Sequence, residues 1–264
     1  MTSKAGNKFL IESALLAHGL PSLSDKDMLA AWPRAFQNIA WVEKGRVVIG
    51  SLEEFLAFRA SGETLIRIDC TMLDKARSQG ISGALTASGT MALCTELGLP
   101  LAVTCGMGGI GDIKGEELCP DLPALADLPV ALVSTSPKDM LDIDATISWL
   151  KQHGVSCLGR HAAICDGYVF RLPPVQLDGI MADTLPATPG RLLILNPIPP
   201  ERRLDDPSLL AQAVQVGHEA EAQGRYFHPA VNGELDRLSS GRTSRMQFRS
   251  LADNAELAAM LTAD

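Results

Sequence analysis

Short, almost wholly apolar runs recur along the chain and are separated by segments with helical periodicity. Such runs suit strands that are covered on both faces, as in α/β proteins. They occupy residues 101–105, 130–134, 155–159 and 191–195. Helices are predicted near residues 87–98, 139–153, 207–223 and 243–263. This alternation predicts an α/β fold, specifically a three-layer α/β/α sandwich with a mainly parallel central sheet.

The region before residue 70 follows a different pattern. Residues 39–42 and 46–50 are apolar and flank Glu43-Lys44-Gly45, which predicts a β-hairpin. Ser51 and Glu54 then have the spacing of a capping box, which predicts a short helix. Residues 64–69 suit a further strand. No internal repeat, low-complexity tract or obvious linker divides the sequence, so we expect a single domain over residues 1–264.

The composition and net charge of the chain exclude some classes of function. The chain has 264 residues, of which 46% are hydrophobic and 20% charged, as in an ordinary globular protein. Its 23 Lys and Arg against 31 Asp and Glu give a formal net charge of −8. Nucleic acids and anionic membranes need a cationic face, so we expect no nucleic-acid or membrane partner.

The cysteines and the N-terminal residues indicate a cytoplasmic protein. No Cys-x-x-Cys pair occurs among the six cysteines, which favours reduced, mostly buried thiols. Residues 1–8 lack the apolar core of a signal peptide, and no apolar run approaches the ~18–20 residues of a membrane span.

A glycine-rich segment, Gly-Met-Gly-Gly-Ile-Gly at residues 106–111, follows an apolar strand and matches the spacing Gly-x-Gly-x-x-Gly. A dinucleotide site would continue into a helix, whereas residues 112–120 are a poor helix. Two other interpretations are a loop whose backbone N–H groups, including those of Gly108 and Gly109, cradle a phosphate, and tight turns without a ligand. Lys114 could supply a cation or be a solvated lysine.

Glu12 interrupts a stretch that is otherwise apolar. Desolvation disfavours the charged form of a carboxyl group, so burial here should raise the pKa of Glu12. Such a group can act as a general acid or base near neutral pH. The alternative is a structural glutamate at the end of a helix or strand, paired with an arginine.

Lys138 lies where an apolar strand runs into a predicted helix start. Sites assemble at the carboxyl ends of strands in α/β sheets. The positive end of a helix dipole would lower the pKa of Lys138, and a neutral amine is what imine formation with a carbonyl carbon requires. The alternative is a surface lysine.

Glu117 and Asp121 form a pair of carboxylates in the segment after the glycine loop. They could share a hard divalent cation together with water molecules. Acidic pairs on loops are more often simply solvated.

In this order, these segments resemble one family, the pseudouridine-5′-phosphate glycosidases, which include the indigoidine-synthase-A-like proteins. The resemblance runs from Ile11 to about Leu257. It is carried by Glu-Ser at 12–13, Ala-His-Gly-Leu-Pro at 17–21, Gly-Ala-Leu-Thr-Ala-Ser-Gly-Thr-Met at 83–91, Gly-Gly-Ile-Gly at 108–111, Asp-Leu at 121–122, Lys-Asp-Met-Leu-Asp at 138–142, Asn-Pro-Ile-Pro at 196–199, Leu-Ser-Ser-Gly-Arg at 238–242 and Asp-Asn-Ala-Glu-Leu at 253–257.

The resemblance implies reversible cleavage of the C–C bond between ribose 5-phosphate and a uracil-like base, through an imine on a lysine. By position, Lys138 matches the nucleophile and Glu12 the proton donor. The resemblance also implies an α/β/α sandwich, a Mn²⁺ ion beside the site, a homotrimer and a small-molecule partner that is a sugar phosphate or nucleotide.

Further site residues follow from the same resemblance. Glu117 stands where the family has a metal-binding Asp, Arg67 stands where it has Lys, and Gln247 stands where it has an Asn that contacts the base. The expected substrate-binding residues are Arg67, Ala87, Gly108, Gly109, Lys114, Cys119, Pro120, Asp121 and Gln247.

Other functions remain open from the sequence. The same imine chemistry could act on a different base or run toward C–C bond formation. A relative that binds sugar phosphates without catalysis would be a non-enzymatic alternative. A nicotinamide-dependent oxidoreductase is the remaining candidate, because of the glycine spacing alone.

Overall fold

A computed structural model describes residues 8–113 and 118–263 of the protein. The strands are β1 (Phe9–Ile11), β2 (Ile39–Glu43), β3 (Arg46–Gly50), β4 (Ile66–Ile68), β5 (Gly83–Leu85), β6 (Leu101–Val103), β7 (Gly106–Met107), β8 (Ala131–Ser134), β9 (Ser136–Pro137), β10 (Ser156–Gly159), β11 (Ile164–Cys165), β12 (Val175–Gln176), β13 (Gly179–Ile180) and β14 (Leu192–Leu195). Within the described residues, a 10-stranded sheet has the order β13-β10-β14-β8-β6-β1-β2-β5-β4, and β3 pairs with β2. Its strands pair in parallel except that β2 is antiparallel to β3 and β5.

Helices cover the sheet. They are α1 (Ala14–His18), α2 (Asp25–Ala31), α3 (Leu52–Arg59), α4 (Leu73–Ser78), α5 (Ala87–Leu97), α6 (Asp121–Asp127), α7 (Ile143–Gln152), α8 (Ser208–Ala222), α9 (Phe227–Leu238) and α10 (Arg242–Leu261). A membrane-spanning helix is not found among the described residues, because each of their helices is too short or too polar to cross a bilayer.

The side chains of the central strands alternate between two hydrophobic cores. In β6, Leu101 and Val103 pack in one core with α9 and α10, while Ala102 packs in the other with α5, α6 and α7. Alternation with a period of two is expected for a strand that is buried on both faces. The sheet is therefore flanked by helices on both sides, which confirms the predicted α/β fold with a mainly parallel central sheet.

The predicted hairpin is confirmed in β2 and β3, which pair from Ile39 opposite Gly50 to Glu43 opposite Arg46. Lys44 and Gly45 form the turn, and both have positive φ angles of 49° and 76°. A two-residue turn of this kind matches the twist of the strands. A side chain on Gly45 would also collide with the carbonyl oxygen of Arg77, 2.5 Å from the position of its Cβ.

The capping box before α3 is confirmed as well. The Ser51 hydroxyl accepts a hydrogen bond from the Glu54 N–H, and the Glu54 carboxylate accepts one from the Ser51 N–H. Together these bonds satisfy backbone donors that the helix itself leaves without partners.

The helix predicted at residues 139–153 begins later, at Ile143. Asp142 caps it, because its carboxylate accepts the backbone N–H of Ala145 at 2.9 Å. Residues 138–141 therefore form a loop between β9 and α7. The sequence analysis did not predict the short elements β1, β5, α1, α2, α4 and α6, or the helix α9. In α9 the spacing of Phe227, Val231 and Leu235, all buried, is a helical signal that was available.

Candidate active site

A cavity lies at the carboxyl ends of the central parallel strands, the edge at which α/β sheets assemble ligand sites. It encloses about 450 Å³ of space, part of it open to solvent. Glu12 directly follows β1, Thr104 follows β6, and Lys138 follows β9. The residues that line it are Glu12, Ala14, Leu15, Gly19, Arg67, Thr86, Ala87, Thr104, Gly106, Asp121, Lys138, Tyr168, Asn232 and Gln247.

Glu12 is a buried carboxyl group, with 6% of its surface exposed. Its Oε1 accepts the Thr104 hydroxyl at 2.7 Å and the Cys105 N–H at 3.1 Å. Burial raises the pKa of Glu12, although these two hydrogen bonds and Lys138 lower it in part. The predicted upward shift is confirmed, and no arginine pairs with Glu12 among the described residues. Both of these hydrogen bonds fall on Oε1, and no residue in 8–113 or 118–263 donates to Oε2.

Lys138 lies on the loop after β9, where its backbone N–H donates to the Met107 carbonyl oxygen at 3.2 Å. Its side-chain nitrogen has no hydrogen bond or ion pair with any described residue. Burial lowers the pKa of Lys138, and the charge of Arg67 lowers it further, while the carboxylates of Glu12 and Asp121 raise it.

The direction of this shift agrees with the sequence-based prediction, but its predicted cause is wrong. Because α7 begins only at Ile143, Lys138 does not lie at a helix N-terminus. Desolvation and a neighbouring cation supply the effect instead. Both favour the neutral amine that nucleophilic attack requires.

Arg67 on β4 is an exposed cation at the mouth of the cavity. Within the described residues its guanidinium has no ion pair. Its charge lowers the pKa values of Lys138, His18 and His228, in each case as a smaller cause than burial. An unpaired guanidinium at a cavity mouth is a suitable partner for an anionic group such as a phosphate.

Asp121 joins the glycine loop to α5. Its Oδ1 accepts the Ser88 N–H at 2.9 Å, and its Oδ2 accepts the Gly108 N–H at 2.8 Å. Ala87, the first residue of α5, lines the cavity beside it. Asp121 therefore fixes one wall of the cavity in addition to facing it.

Gly106 of the glycine loop lines the cavity, but two other backbone N–H groups of the loop are already bonded within the protein. The Gly108 N–H is bonded to Asp121, and the Ile110 N–H donates to the Thr146 hydroxyl at 2.9 Å. Gly109 packs against Thr146, which leaves no room for a side chain there. Residues 106–113 form no helix, so the arrangement also lacks the helix of a dinucleotide site.

Several other predicted site residues lie away from the cavity lining or outside the described residues. Gly108, Gly109, Cys119 and Pro120 do not line the cavity. The Cys119 sulfur packs against Gly108, where a side chain would overlap with it. Lys114 and Glu117 lie outside the described residues, so their predicted roles stay predictions.

Tyr168 supplies a wall that the sequence analysis missed. It is 3% exposed, and its hydroxyl lies 2.8 Å from the sulfur of Cys105. That sulfur also donates to the backbone carbonyl oxygen of Gln247 at 3.0 Å. Gly106 makes room for the ring, since a Cβ there would come within 2.8 Å of Tyr168. Burial raises the pKa of Tyr168 well above its ordinary value, so the phenol stays neutral.

The loop that carries Tyr168 is anchored by Asp139, the neighbour of Lys138. The buried Asp139 carboxylate accepts the backbone N–H groups of Tyr168 at 2.6 Å, Val169 at 2.8 Å and Phe170 at 3.1 Å. Burial raises the pKa of Asp139 to about 6, although these bonds lower it in part. One short segment, residues 138–139, therefore positions both the amine and the aromatic wall.

Helices α9 and α10 close the remaining side with Asn232 and Gln247. Gln247 is 3% exposed. Asp236 joins these two helices, because its carboxylate accepts the Ser244 N–H at 2.9 Å and the Thr243 hydroxyl at 3.1 Å.

Eight lining residues were not named as site residues from the sequence: Ala14, Leu15, Gly19, Thr86, Thr104, Gly106, Tyr168 and Asn232. Thr104 had a usable signal, because it lies at the carboxyl end of the strand predicted at residues 101–105, and site residues concentrate at such ends. Tyr168 lies in a loop without a local pattern. Asn232 required the recognition of α9 as a helix.

The predicted metal site has no complete ligand set within the described residues. Residues 8–113 and 118–263 contain no group of three His, Cys, Asp or Glu side chains placed to hold an ion. Both oxygens of Asp121 already accept backbone N–H groups. Mn²⁺ binding through Glu117 therefore stays a prediction.

The cavity combines a carboxyl group of raised pKa with an amine of lowered pKa. The first can hold and donate a proton near neutral pH, and the second can attack an electrophilic carbon. This pairing suits covalent catalysis through an imine with general acid assistance.

Comparisons with known proteins all identify relatives in one family. A sequence model described as "Indigoidine synthase A like protein" matches residues 9–264. A pseudouridine-5′-phosphate glycosidase from Thermus thermophilus is 30% identical over 268 residues, covering 94% of this chain and 94% of the relative. Another, from Methylobacterium nodulans, is 29% identical over 275 residues, covering 95% of this chain and 81% of the relative.

Solved structures share the fold. An indigoidine synthase A-like protein from Thermotoga maritima aligns with a TM-score of 0.79 at 22% identity, covering 97% of this chain and 94% of that one. The prealnumycin C-glycosynthase in complex with ribulose 5-phosphate aligns with a TM-score of 0.76 at 20% identity, covering 96% of this chain and 91% of that one.

Proposed function

The chain belongs to the indigoidine synthase A-like family, and from that premise we propose that it is an enzyme that cleaves or forms the C–C bond between ribose 5-phosphate and a base. Pseudouridine 5′-phosphate is the proposed substrate, with ribose 5-phosphate and uracil as products. The observation that carries the proposal is the shared cavity of Glu12 and Lys138, whose pKa values are shifted toward the protonated acid and the neutral amine.

A sugar phosphate suits the charge of the cavity. Arg67 and Lys138 both line it, and neither has an ion pair with a described residue. A phosphate group would supply the missing negative charge at Arg67. A relative of the same fold, the prealnumycin C-glycosynthase, is in complex with ribulose 5-phosphate, which supports a ligand of this class.

In the proposed cleavage the amine of Lys138 attacks C1′ of the nucleotide. The bond from C1′ to the ring oxygen breaks, and that oxygen takes a proton to become a hydroxyl. The lone pair of the nitrogen then forms a C=N bond as the bond from C1′ to the base breaks. The electron pair of the broken bond stays on the carbon of the base, where a proton takes it up, and the nitrogen stabilises the electron-poor C1′ as an iminium. Water adds to the iminium and releases ribose 5-phosphate and the free lysine.

Glu12 is the proposed proton donor to the carbon of the departing base. Its proton replaces the broken C–C bond with a C–H bond, so the base leaves as a neutral molecule. The raised pKa keeps this proton available near neutral pH. In the reverse direction the same carboxylate removes the proton from the base carbon.

Imine formation on Lys138 determines neither the direction in which the reaction runs in the cell nor the base that is used. A C-glycosynthase of the same fold supports a second candidate, in which the enzyme forms the C–C bond with a different base. A protein that binds sugar phosphates without catalysis would keep Arg67 but form no imine. The homotrimer, the Mn²⁺ ion and the cytoplasmic location stay predictions beside this proposal.

Reduction of the imine tests the proposal. Incubation with ribose 5-phosphate and borohydride should attach the reduced sugar phosphate to Lys138 as a secondary amine, located by peptide mass spectrometry. Lys138→Ala should lose the adduct, whereas Lys75→Arg, a change at an exposed lysine on α4, should keep it. An unmodified Lys138 in the wild-type protein would contradict imine catalysis and favour the non-catalytic alternative.

A further inference from the structure

The elements that line the cavity fall into two groups according to the charge of the side chains they contribute. Its charged residues, Glu12, Arg67, Asp121 and Lys138, come from β4, from the segments that follow β1 and β9, and from the start of α6. The polar residues from the loop at 168 and from the helices α9 and α10 are Tyr168, Asn232 and Gln247, and none of them carries a charge at neutral pH. We call these three residues the neutral wall.

Two members of the neutral wall present carboxamides that have no hydrogen-bond partner among residues 8–113 and 118–263. Neither the Asn232 nor the Gln247 side chain makes a hydrogen bond with a described residue. Gln247 is only 3% exposed, so its carboxamide lies within the cavity wall and not on the outer surface. Both side chains line the cavity, so a ligand in the cavity can supply the partners that the protein does not.

The surface of α9 that carries Asn232 is turned toward the site. His228 and Asn232 are four residues apart and therefore lie on one face of the helix. Burial, followed by the charges of Lys138 and Arg67, lowers the pKa of His228 to about 3. This face of α9 is consequently close to the two cations but adds no charge of its own.

We propose that Asn232 is a specificity-determining residue that, together with Gln247, binds the base through its amide edge. The charged residues would hold the sugar phosphate, and the neutral wall would hold an uncharged planar ring that offers an N–H beside a C=O. A carboxamide has one acceptor and two donor hydrogens, so each can bond both groups of such an edge. The ring of Tyr168 supplies a rigid apolar surface beside them. This inference rests on the proposed function.

The test uses condensation of ribose 5-phosphate with uracil, and with resorcinol as a ring of similar size without an amide edge. Asn232→Leu should raise the KM for uracil at least tenfold and leave the KM for ribose 5-phosphate within twofold. Asn232→Asp keeps the size of the side chain but replaces its hydrogen-bond donors with a negative charge. This variant should also raise the KM for uracil. Gln212→Leu, at an exposed carboxamide on α8, should behave as the wild type.

Borohydride trapping of ribose 5-phosphate separates this inference from the proposed function. Variants at Asn232 should still form the Lys138 adduct, which also shows that they are folded. Wild-type-like KM values for uracil in both Asn232 variants would overturn the inference. It would also be overturned by equal use of resorcinol and uracil, or by successful trapping without any condensation with uracil. Loss of trapping in the wild type would instead overturn the proposed function.

Discussion

The proposed catalytic role of Glu12 comes at the expense of stability, because its carboxyl group is removed from water. The carboxyl group is buried, and burial raises its pKa above the ordinary value of glutamate. The folded state therefore binds this proton more tightly than the unfolded state does. Stability associated with Glu12 is present at low pH and is lost as the pH rises through the folded pKa.

Glu12→Gln should therefore separate the two roles. Activity should fall by about 10²- to 10⁴-fold because the general acid is lost, while Lys138 still forms the trapped imine. The free energy of unfolding should increase relative to the wild type, and this difference should grow as the pH rises from 4 to 8. Urea unfolding at several pH values measures it. The exposed Glu53→Gln should show no such trend, and a destabilised Glu12→Gln at pH 8 would contradict the explanation.

Thr104 influences the pKa of the Glu12 carboxyl group. Its hydroxyl donates to Oε1 of Glu12, which lowers the pKa of that group against the larger effect of burial. Thr104→Val should remove this hydrogen bond and raise the pKa of Glu12 further. The limb of the pH profile of kcat where the acid loses its proton should move to higher pH. Thr95→Val, whose hydroxyl is bonded within α5, is the control. An unshifted limb would exclude this role of Thr104.

At the scale of elements, the helices α9 and α10 are fixed to each other by one buried carboxylate. Asp236 is 3% exposed and accepts hydrogen bonds from Ser22, Thr243 and Ser244. Burial raises the pKa of Asp236, but these bonds outweigh it and hold the pKa below the ordinary value. Because α9 carries Asn232 and α10 carries Gln247, this contact sets the relative positions of the two carboxamides of the neutral wall.

Asp236→Asn should destabilise the protein by about 2 kcal/mol at pH 7, since hydrogen bonds to a charged group are lost. A lowered carboxyl pKa contributes stability above the unfolded pKa, and this contribution is lost as the pH falls through the folded pKa. The two proteins should therefore converge in acid, as measured by urea unfolding. Glu234→Gln, at a surface ion pair with Arg237 on the same helix, should change stability by less than about 1 kcal/mol. A pH-independent difference would refute this assignment.

For the molecule as a whole, the net charge of −8 means that the proposed anionic ligand needs a local cationic site. Arg67 and Lys138 supply that charge within one cavity. Ribose 5-phosphate at 100 times its Kd should stabilise the folded protein by about 2.7 kcal/mol, seen as a rise in Tm. Ribose should give a smaller rise, and Arg67→Met should remove most of the difference between the two sugars. Equal shifts for ribose and ribose 5-phosphate in the wild type would contradict phosphate binding at Arg67.

Local sequence patterns were sufficient to predict several strands and helices of this protein. Apolar runs and helical spacing predicted β6, β8, β10 and β14 with the helices α5, α8 and α10, because burial on both faces imposes such patterns on strands. The residues of the resemblance led to Glu12 and Lys138. The structure places both in one cavity, together with Arg67, Ala87, Asp121 and Gln247.

The groups that face the cavity, and the causes of their pKa shifts, became visible only in the packed fold. Desolvation and a neighbouring charge lower the pKa of Lys138, and Arg67 lies 71 residues away along the chain. The N–H of Gly108 is bonded to Asp121 and so turned away from a ligand, although the glycine spacing suggested the opposite. Tyr168 and Asn232 reach the site from a loop and a helix that are distant in sequence. These contacts are set by packing between elements, which no local pattern records.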